Sequence, residues 1–355
     1  MLIINLSRLG KSGTGMWRYS LNFLDALSSQ GLVSGIICAR EHVDKLEKYG
    51  VKLIAVPNWV ANSSHISHIR PVLWFLYSYW LAFLLRTKFG KETIVSTTHH
   101  TLPFLSNQVI TVHDLRPYHY PDSYLQQFYF RCLLPQALPR CKHLLTVSNT
   151  VRQQISNTFD FPQDKISVIY NSVDTNAFKP YSEKKGYLLA VGASWRHKNI
   201  DSLLKAHQIW FKQFRLVIVC GHTDYVDEMK QYVVDSQLSN AVSFHHNVPF
   251  NELQKLYAEA SALVYPSLDE GFGIPPIEAL ACLTPVIVSD IPVFHEVLGD
   301  AAIYVKPDNL ESWKQAFLQL NSHQDWYEKA MFCANKYNLN MMKMAIRNWI
   351  SRMDQ

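Results

Sequence analysis

The sequence lacks an apolar run long enough to cross a bilayer, which takes about 20 residues. Its most apolar stretch, residues 71–85, is shorter than that and rich in aromatic side chains. We interpret this stretch as a buried core helix. The alternative is a helix that lies in a membrane interface. The aromatic residues that would then meet lipid are Trp74, Phe75, Tyr77, Tyr79, Trp80 and Phe83.

Cysteine spacing, net charge and the first apolar segment each argue against a further class of protein. The six cysteines show neither paired nor metal-ligand spacing, so we expect reduced core residues of a cytoplasmic protein. The net charge of +5 is small and spread along the chain, so nucleic-acid binding is not indicated. The first apolar segment, residues 2–6, is too short for a signal peptide and predicts a strand.

Length and composition indicate a globular protein of two domains. The chain has 355 residues, of which 48% are hydrophobic and 18% charged. Strand and helix patterns alternate in both halves, and a polar segment at residues 179–186 separates them. This alternation predicts doubly wound parallel sheets, with ligands at the carboxyl ends of the strands.

The most informative stretch is a glycine-rich turn between a short apolar strand and a helix, DEGFGIPPIEAL at residues 269–280. Gly271 and Gly273 allow the backbone to approach a ligand, and the amides at the helix start favour phosphate. Glu270 and Glu278 flank this anion site, and each can accept two hydroxyl hydrogen bonds. A ligand with phosphate between two diols, one for each glutamate, is a sugar nucleotide. The alternative is an ordinary strand-turn-helix with solvated glutamates.

The spacing of Glu270 and Glu278 around GFGIPPI resembles the donor-site signature of the retaining glycosyltransferases of family 4, which have the GT-B fold. The resemblance implies that Glu270 contacts the transferred sugar and Glu278 the nucleotide ribose. The backbone of Phe272, Gly273 and Ile274 would then contact the diphosphate. Neither glutamate is expected to belong to the core.

A glycine-rich loop, Gly10-x-x-Gly13-x-Gly15, follows the first strand. It is a weak dinucleotide signal, because the third glycine is misplaced and no acidic residue closes the second strand. The loop is similar to the one that approaches donor phosphate and acceptor in family 4. Thr14 separates Gly13 from Gly15, where the family usually has two adjacent glycines.

His113-Asp114 ends another strand of the first half. Such a pair alone is commonly a satisfied polar pair, but the resemblance implies that His113 lies beside the transferred sugar. His99-His100 ends the preceding strand region and is expected at the same edge. As a metal site this pair lacks a third ligand.

The second half opens with a strand and a basic loop that contains Arg196 and Lys198. In family 4 this loop clamps the diphosphate and supports the leaving group, so the resemblance assigns that role to both residues. Ala193 stands where many members carry a further arginine. Gly221 ends the next strand, which resembles the one in the nucleotide pocket of the family. We assign catalysis to Glu270, Lys198 and His113.

The resemblance predicts an α/β GT-B fold of two Rossmann-like doubly wound parallel-sheet domains facing a central cleft. The expected domains are an acceptor-side domain at residues 1–180 and a sugar-nucleotide donor domain at 181–335. A C-terminal helix at 336–355 would cross back to the first domain.

The leading functional hypothesis is a retaining hexosyltransferase of surface polysaccharide assembly, such as O-antigen, capsule or exopolysaccharide. The stretch around His113 resembles bacterial mannosyltransferases, so the first expectation for the donor is GDP-mannose. UDP-hexoses such as UDP-glucose and UDP-galactose remain alternatives. A sugar-nucleotide epimerase of the same fold and a catalytically silent sugar-nucleotide-binding protein are the rivals.

The expected acceptor is a glycan or a polyprenyl-diphosphate-linked glycan. No Asp-x-Asp metal motif is present, so we expect no cofactor and no metal, with basic residues and amides carrying the charge of the leaving diphosphate. The expected location is cytoplasmic, with peripheral contact to the cytoplasmic face of the inner membrane.

Overall fold

The computed structural model describes residues 1–9, 14–61, 70–90, 92–180, 183–322 and 326–353. The chain divides into two compact units. The first comprises Met1–Ser172 with Leu339–Gln355, and the second comprises Val173–Asn338.

Each unit is built on a parallel sheet. Within the described residues, the first sheet contains β1 (Leu2–Leu6), β2 (Val33–Ala39), β3 (Lys52–Val56), β4 (Thr93–Ser96), β5 (Gln108–Val112), β6 (His143–Thr146) and β7 (Ile166–Val168). The second contains β8 (Tyr187–Val191), β9 (Arg215–Val219), β10 (Val242–His245), β11 (Ala262–Tyr265), β12 (Val286–Ser289) and β13 (Ile303–Val305).

The strand orders are β3-β2-β1-β4-β5-β6-β7 and β10-β9-β8-β11-β12-β13. In each sheet the order reverses beside the first strand, between β1 and β4 and between β8 and β11. Connections on the two sides of such a switch point cover opposite faces of the sheet, which opens a crevice at the carboxyl ends of the two strands. The predicted doubly wound α/β architecture is confirmed in both units.

Helices connect the strands. They are α1 (Gly15–Ser28), α2 (Val43–Leu46), α3 (Asn58–Ala61), α4 (Arg70–Phe89), α5 (Arg116–His119), α6 (Tyr124–Phe128), α7 (Leu134–Ala137), α8 (Asn149–Phe159), α9 (Ile200–Lys205), α10 (His207–Trp210), α11 (Asp224–Asp235), α12 (Phe250–Glu259), α13 (Ile274–Ala281), α14 (Pro292–Leu298), α15 (Leu310–Ser322), α16 (Trp326–Asn335) and α17 (Leu339–Met353). The last helix packs on the first, with the rings of Trp349 and Phe23 6.2 Å apart.

The aromatic helix α4 differs from the favoured interpretation. One face is buried and includes Trp74, Leu81 and Leu85, but Leu76 and Phe83 on the opposite face are 62% and 69% exposed. The interpretation as a buried core helix is therefore wrong for half of the helix, because its apolar residues surround the whole axis and only one side meets the sheet. In the part of the chain that the structure describes, none of the helices combines the length and apolar character that a membrane span requires.

The cysteines are free thiols, as expected, and five of them are buried. Cys132 is exposed, so the expectation of a core position is wrong for this residue. It lies in a π-helical turn, Tyr129–Leu133, that connects α6 to α7.

Candidate functional site

The glycine-rich turn connects β11 to α13 at the switch point of the second sheet. Gly273 precedes the helix with a φ of +93°, a conformation that disfavours any residue with a Cβ. A Cβ at this position would also lie 2.7 Å from Cε1 of Phe294. Both the backbone angle and the packing therefore require glycine here.

The side chain of Phe272 anchors the turn. It is 3% exposed, and its ring meets that of Tyr337 edge-on at 5.0 Å. The packing of this ring therefore fixes the position of the turn. Among the described residues, the amides of Gly271, Gly273 and Ile274 have no acceptor within the protein. Pro275 and Pro276 have no N–H, so these amides are the donors offered to an anion.

Glu270 lies in a small buried polar group at the start of the same turn. Lys198 forms an ion pair with its Oε1, and the two side chains are 13% and 15% exposed. Ser267 Oγ donates to the same oxygen at 2.8 Å, and Lys198 Nζ donates to Tyr265 Oη at 2.6 Å. We call these four side chains the Glu270 cluster. The structure therefore brings together two of the three predicted catalytic residues.

Electrostatics keeps this cluster charged. Burial raises the pKa of Glu270, but the neighbouring Lys198 ammonium and the Ser267 hydrogen bond more than offset this and leave the pKa below its ordinary value. Burial and the nearby Glu270 charge raise the pKa of Tyr265 well above its usual range. At neutral pH Glu270 is thus a carboxylate and Tyr265 a neutral phenol.

Backbone contacts of His197 join the loops that carry Lys198 and Glu270. The carbonyl oxygen of His197 accepts a hydrogen bond from the Leu268 amide at 2.7 Å and lies 3.1 Å from Ser267 Oγ. The two loops leave β8 and β11, the strands on either side of the switch point. The topology therefore places the ion pair where a crevice for ligands is expected.

Glu278 is buried within α13, with a relative exposure of 2%. Tyr257 of α12 donates a hydrogen bond to its Oε2 at 2.7 Å. The expectation that neither glutamate belongs to the core is wrong for Glu278, because the helix turns this position towards α12. The alternative interpretation of the motif, an ordinary turn with solvated glutamates, is wrong because both carboxylates are largely buried.

Arg196 is not part of the Glu270 cluster. Its guanidinium pairs with Glu228 of α11, and these side chains are 71% and 54% exposed. It also lies over the ring of Tyr225, 5.6 Å from the centroid. The structure thus separates the two basic residues that the sequence analysis grouped together.

Gly221 follows β9 and donates its amide to Ser194 Oγ at 2.7 Å. His222, the next residue, stacks its ring on that of His246 at 4.0 Å. The sequence did not predict this pair. His246 Nδ1 is fixed by the carbonyl oxygen of Cys220 at 3.1 Å. The two histidines follow β9 and β10, which pair in parallel. Predicting their contact would therefore require knowing that these two strands are neighbours.

In the first unit, Thr14 is the N-cap of α1, and its side chain accepts from the Trp17 amide at 3.3 Å. Gly15 is the first residue of this helix. Gly13, with the preceding part of the predicted cleft loop, lies outside the described residues. The described part of the loop thus uses its hydroxyl side chain for capping.

His113 follows β5, and its ring is held from two sides. Nε2 donates to the Thr97 carbonyl oxygen at 2.8 Å, and the ring of Tyr19 meets it edge-on at 4.7 Å. Burial lowers the pKa of His113, although the Thr97 hydrogen bond and the Asp114 charge act in the opposite direction. Because a carbonyl only accepts, the proton of the neutral imidazole is on Nε2, and Nδ1 carries a lone pair.

No group of three or more His, Cys, Asp or Glu side chains in the described residues is arranged to hold a metal ion. The pair His99-His100 at the end of β4 stacks at a ring distance of 4.4 Å. Burial, followed by the nearby His113, Arg8 and Arg116, lowers the pKa of His99 to about 3. His99 is therefore a neutral neighbour of His113 at pH 7.

Comparisons with solved structures agree with this architecture. A sucrose-phosphate synthase from Thermosynechococcus elongatus superposes with a TM-score of 0.78 at 14% identity, covering 99% of this chain and 98% of the other. HepE from Anabaena, solved in complex with UDP and glucose, superposes with a TM-score of 0.74 at 16% identity, covering 99% of each chain. At such identities the likeness shows the fold alone, which is the predicted GT-B fold.

Sequence comparisons identify the family. Residues 173–336 match the family model described as glycosyl transferases group 1, and residues 13–177 match the model of glycosyltransferase family 4. The O-antigen chain mannosyltransferase RfbU of Salmonella typhimurium is 53% identical over 350 residues, which cover 99% of both chains. The chain therefore belongs to glycosyltransferase family 4, as the Glu270–Glu278 signature predicted, and it is a glycosyltransferase.

Proposed function

We propose that this glycosyltransferase moves mannose from GDP-mannose, with retention, to a glycan or polyprenyl-diphosphate-linked acceptor of O-antigen or a related surface polysaccharide. The observation that carries the chemistry is the buried Lys198–Glu270 ion pair beside the donor amides of Gly271, Gly273 and Ile274. Mannose is supported by the name of the relative that is 53% identical over nearly the whole of both chains.

The donor diphosphate would bind the three amides and Lys198. These groups are positioned before the reaction begins, and Lys198 is largely shielded from water, so its charge acts strongly on the leaving group. Lys198 and Ser267 both contact Oε1 of Glu270. We assign Oε2 of Glu270 to a hydroxyl of the transferred sugar.

Glu278 would bind the ribose hydroxyls, with its carboxylate oriented by the Tyr257 hydroxyl. His113 would accept a sugar hydroxyl at Nδ1, because its Nε2 proton is already donated to Thr97. Its lowered pKa keeps the imidazole neutral at pH 7, as this role requires.

The reaction would proceed on one face of the sugar. The bond between the anomeric carbon and the phosphate oxygen breaks, and the acceptor oxygen bonds to the same face of that carbon. The departing phosphate takes the proton of the acceptor hydroxyl. Since Lys198 and the amides supply the positive field, we expect transfer to continue in EDTA. Loss of transfer in EDTA with recovery in magnesium or manganese would contradict this step.

The test compares GDP-mannose, UDP-glucose and UDP-galactose in separate reactions, each with and without a lipid extract that supplies acceptor. We expect release of nucleoside diphosphate from GDP-mannose only when acceptor is present. Release from a UDP-hexose alone would contradict the donor, and turnover without acceptor would indicate an epimerase. A silent binding protein would bind without turnover. Binding is measured by thermal shift, since a ligand at 100 times its Kd adds about 2.7 kcal/mol of stability.

A further inference from the structure

The outer face of α4 presents a continuous stripe of large apolar side chains. The stripe follows helical spacing, so its members lie on one side of the helix. Its members, with their exposed fractions, are Val72 (48%), Phe75 (40%), Leu76 (62%), Tyr79 (38%), Trp80 (53%) and Phe83 (69%). The stripe runs from Val72 to Phe83, eleven helical rises of 1.5 Å, and is therefore about 16 Å long.

Two residues from neighbouring segments extend the stripe. Trp59, which is 51% exposed, meets the ring of Tyr77 at 6.4 Å. Phe104, which is 67% exposed, meets the ring of Tyr79 at 5.4 Å. The φ of Phe104 is +60°, an outlier for a bulky residue, so the backbone presents this ring outwards at a cost. We call the stripe with Trp59 and Phe104 the α4 aromatic surface.

The charges of this helix have one sign. Residues 70–89 contain Arg70, Arg86 and Lys88 and no acidic residue. Lys52 adds a further cation at the same end of the helix, with Nζ 4.9 Å from the centroid of Phe89. The α4 aromatic surface is therefore bordered by cations near the C-terminal end of the helix.

We propose that the α4 aromatic surface docks on the interface of an anionic lipid bilayer. Tryptophan and tyrosine rings favour the headgroup level, where one end is apolar and the other is wet. The cations at the helix end match anionic lipid, and each such charge near the surface strengthens binding. The helix would lie in the plane of the interface, because one face is buried against the sheet and the opposite face is exposed along its length.

The surface is connected to the strand edge that carries His113. Trp74, on the inner side of α4, meets His100 edge-on at 6.1 Å, and His100 stacks on His99 at 4.4 Å. Both histidines follow β4, which is the neighbour of β5 in the sheet. A lipid-linked acceptor held by the same membrane would thus be close to this edge. This last step rests on the proposed function, whereas docking itself does not.

The test is co-sedimentation of the full chain with vesicles of phosphatidylethanolamine and phosphatidylglycerol, and with vesicles of phosphatidylcholine alone. We expect binding to the anionic vesicles, weakened by salt. The triple variant Leu76→Ser, Trp80→Ser, Phe83→Ser should reduce the partition coefficient by about a hundredfold or more, given the usual gain from burying large apolar side chains. Since these side chains are exposed, its thermal midpoint should stay near that of the wild type.

The matched control replaces three similarly exposed apolar residues of the second unit. Leu318, Tyr327 and Phe332 are 54%, 59% and 67% exposed, and their replacement by serine should leave sedimentation unchanged. Equal loss in both triple variants, or wild-type sedimentation of the α4 variant, would overturn the proposal. A wild-type dimer that the α4 variant loses, without vesicle binding by either, would show that a second copy covers the surface instead.

Thermal shift with GDP and UDP separates this proposal from the proposed function. The α4 variant should retain the nucleotide response of the wild type, because the substitutions lie outside the Glu270 cluster. A wild-type protein that binds vesicles but neither nucleotide would refute the proposed function and leave the docking surface intact. A protein that binds nucleotide but not anionic vesicles would refute the docking surface and leave the proposed function intact.

Discussion

Replacing Glu270 by glutamine keeps the shape of the side chain and removes the charge on which the proposed chemistry depends. A hydrogen bond between a sugar hydroxyl and a charged acceptor contributes about 1.5–3 kcal/mol. If that bond strengthens as the anomeric carbon becomes electron-poor, most of this energy is lost from the transition state. We expect kcat to fall about tenfold to a hundredfold, with a smaller change in KM for the donor.

The same substitution also affects folding, because Lys198 loses its anionic partner in a largely buried position. Tyr265 Oη still accepts from Lys198, so we expect a loss of about 1–3 kcal/mol in the free energy of unfolding rather than the full cost of a bare buried charge. For a unit of this size the thermal midpoint should fall by about 2–4 °C for each kcal/mol. Kinetics are therefore measured well below both midpoints.

The pH dependence of the midpoint checks the same ion pair. Lys198 holds the pKa of Glu270 below its ordinary value of 4.5, against the raising effect of burial. The stabilisation is thus fully present above pH 4.5 and is lost as the pH falls through the lowered pKa of the folded state. The midpoints of the wild type and Glu270→Gln should converge below pH 4.5, and a constant difference would contradict the ion pair as its cause.

Glu228→Gln is the matched control, since Glu228 pairs with Arg196 from the same basic loop. Both of these side chains are more than half exposed, so the pair should contribute little to stability. We expect kcat, KM and the midpoint of this variant to match the wild type. The reasoning fails if Glu228→Gln lowers kcat as much as Glu270→Gln does, or if Glu270→Gln changes only KM.

Three further predictions concern other parts of the two units. Glu278→Gln should raise the KM for the donor several-fold with kcat near wild type, measured by steady-state kinetics, because glutamine still accepts from Tyr257 but offers the ribose a neutral oxygen. Gly273→Ala should lower the free energy of unfolding by more than the roughly 1–3 kcal/mol that backbone strain alone costs, because the new methyl group meets Phe294. The loss is measured as a fall in the thermal midpoint. Gly299→Ala is its control, with a φ of +50° and no atom within 4 Å, and equal losses would contradict the clash. His99 is neutral in the folded state down to a pKa of about 3 but binds a proton near pH 6.5 when unfolded, so stability falls as the pH drops below 6.5. Between pH 7 and pH 5 this amounts to about 2 kcal/mol, and His99→Gln should flatten the midpoint over that range.

Much of the fold could be predicted because local sequence determines it. The strands at Lys52–Val56, Thr93–Ser96 and Gln108–Val112 are examples. Each is a short apolar run that is bounded by polar or turn-forming residues. The chain is helical from α6 to α7, but a π-helical turn at Tyr129–Leu133 separates these two helices just before Pro135. Proline lacks the N–H that a continuous helix needs at this position.

The side chains that support the site were harder to predict. Ser267 and Tyr257 contact the two glutamates, yet neither carries a distinctive pattern in the sequence. Ser267 lies at the end of a strand, where small polar residues are common, and Tyr257 reads as one apolar position of an amphipathic helix. Their roles depend on the way α12 and α13 pack and on the turn after β11. Such contacts join residues that pattern alone does not connect.

The separation of Arg196 from Lys198 follows from local geometry. Residues 196–198 form a 3₁₀ turn, in which three residues complete one turn, so side chains two positions apart point about 120° away from each other. Asn199 ends the turn with a φ of +55°, which fixes its direction before α9 begins. Lys198 therefore faces the loop after β11 while Arg196 faces α11. A basic pair in the sequence thus becomes a single buried cation beside Glu270, and in the proposed reaction the amides of the glycine-rich turn would assist it in stabilising the leaving diphosphate.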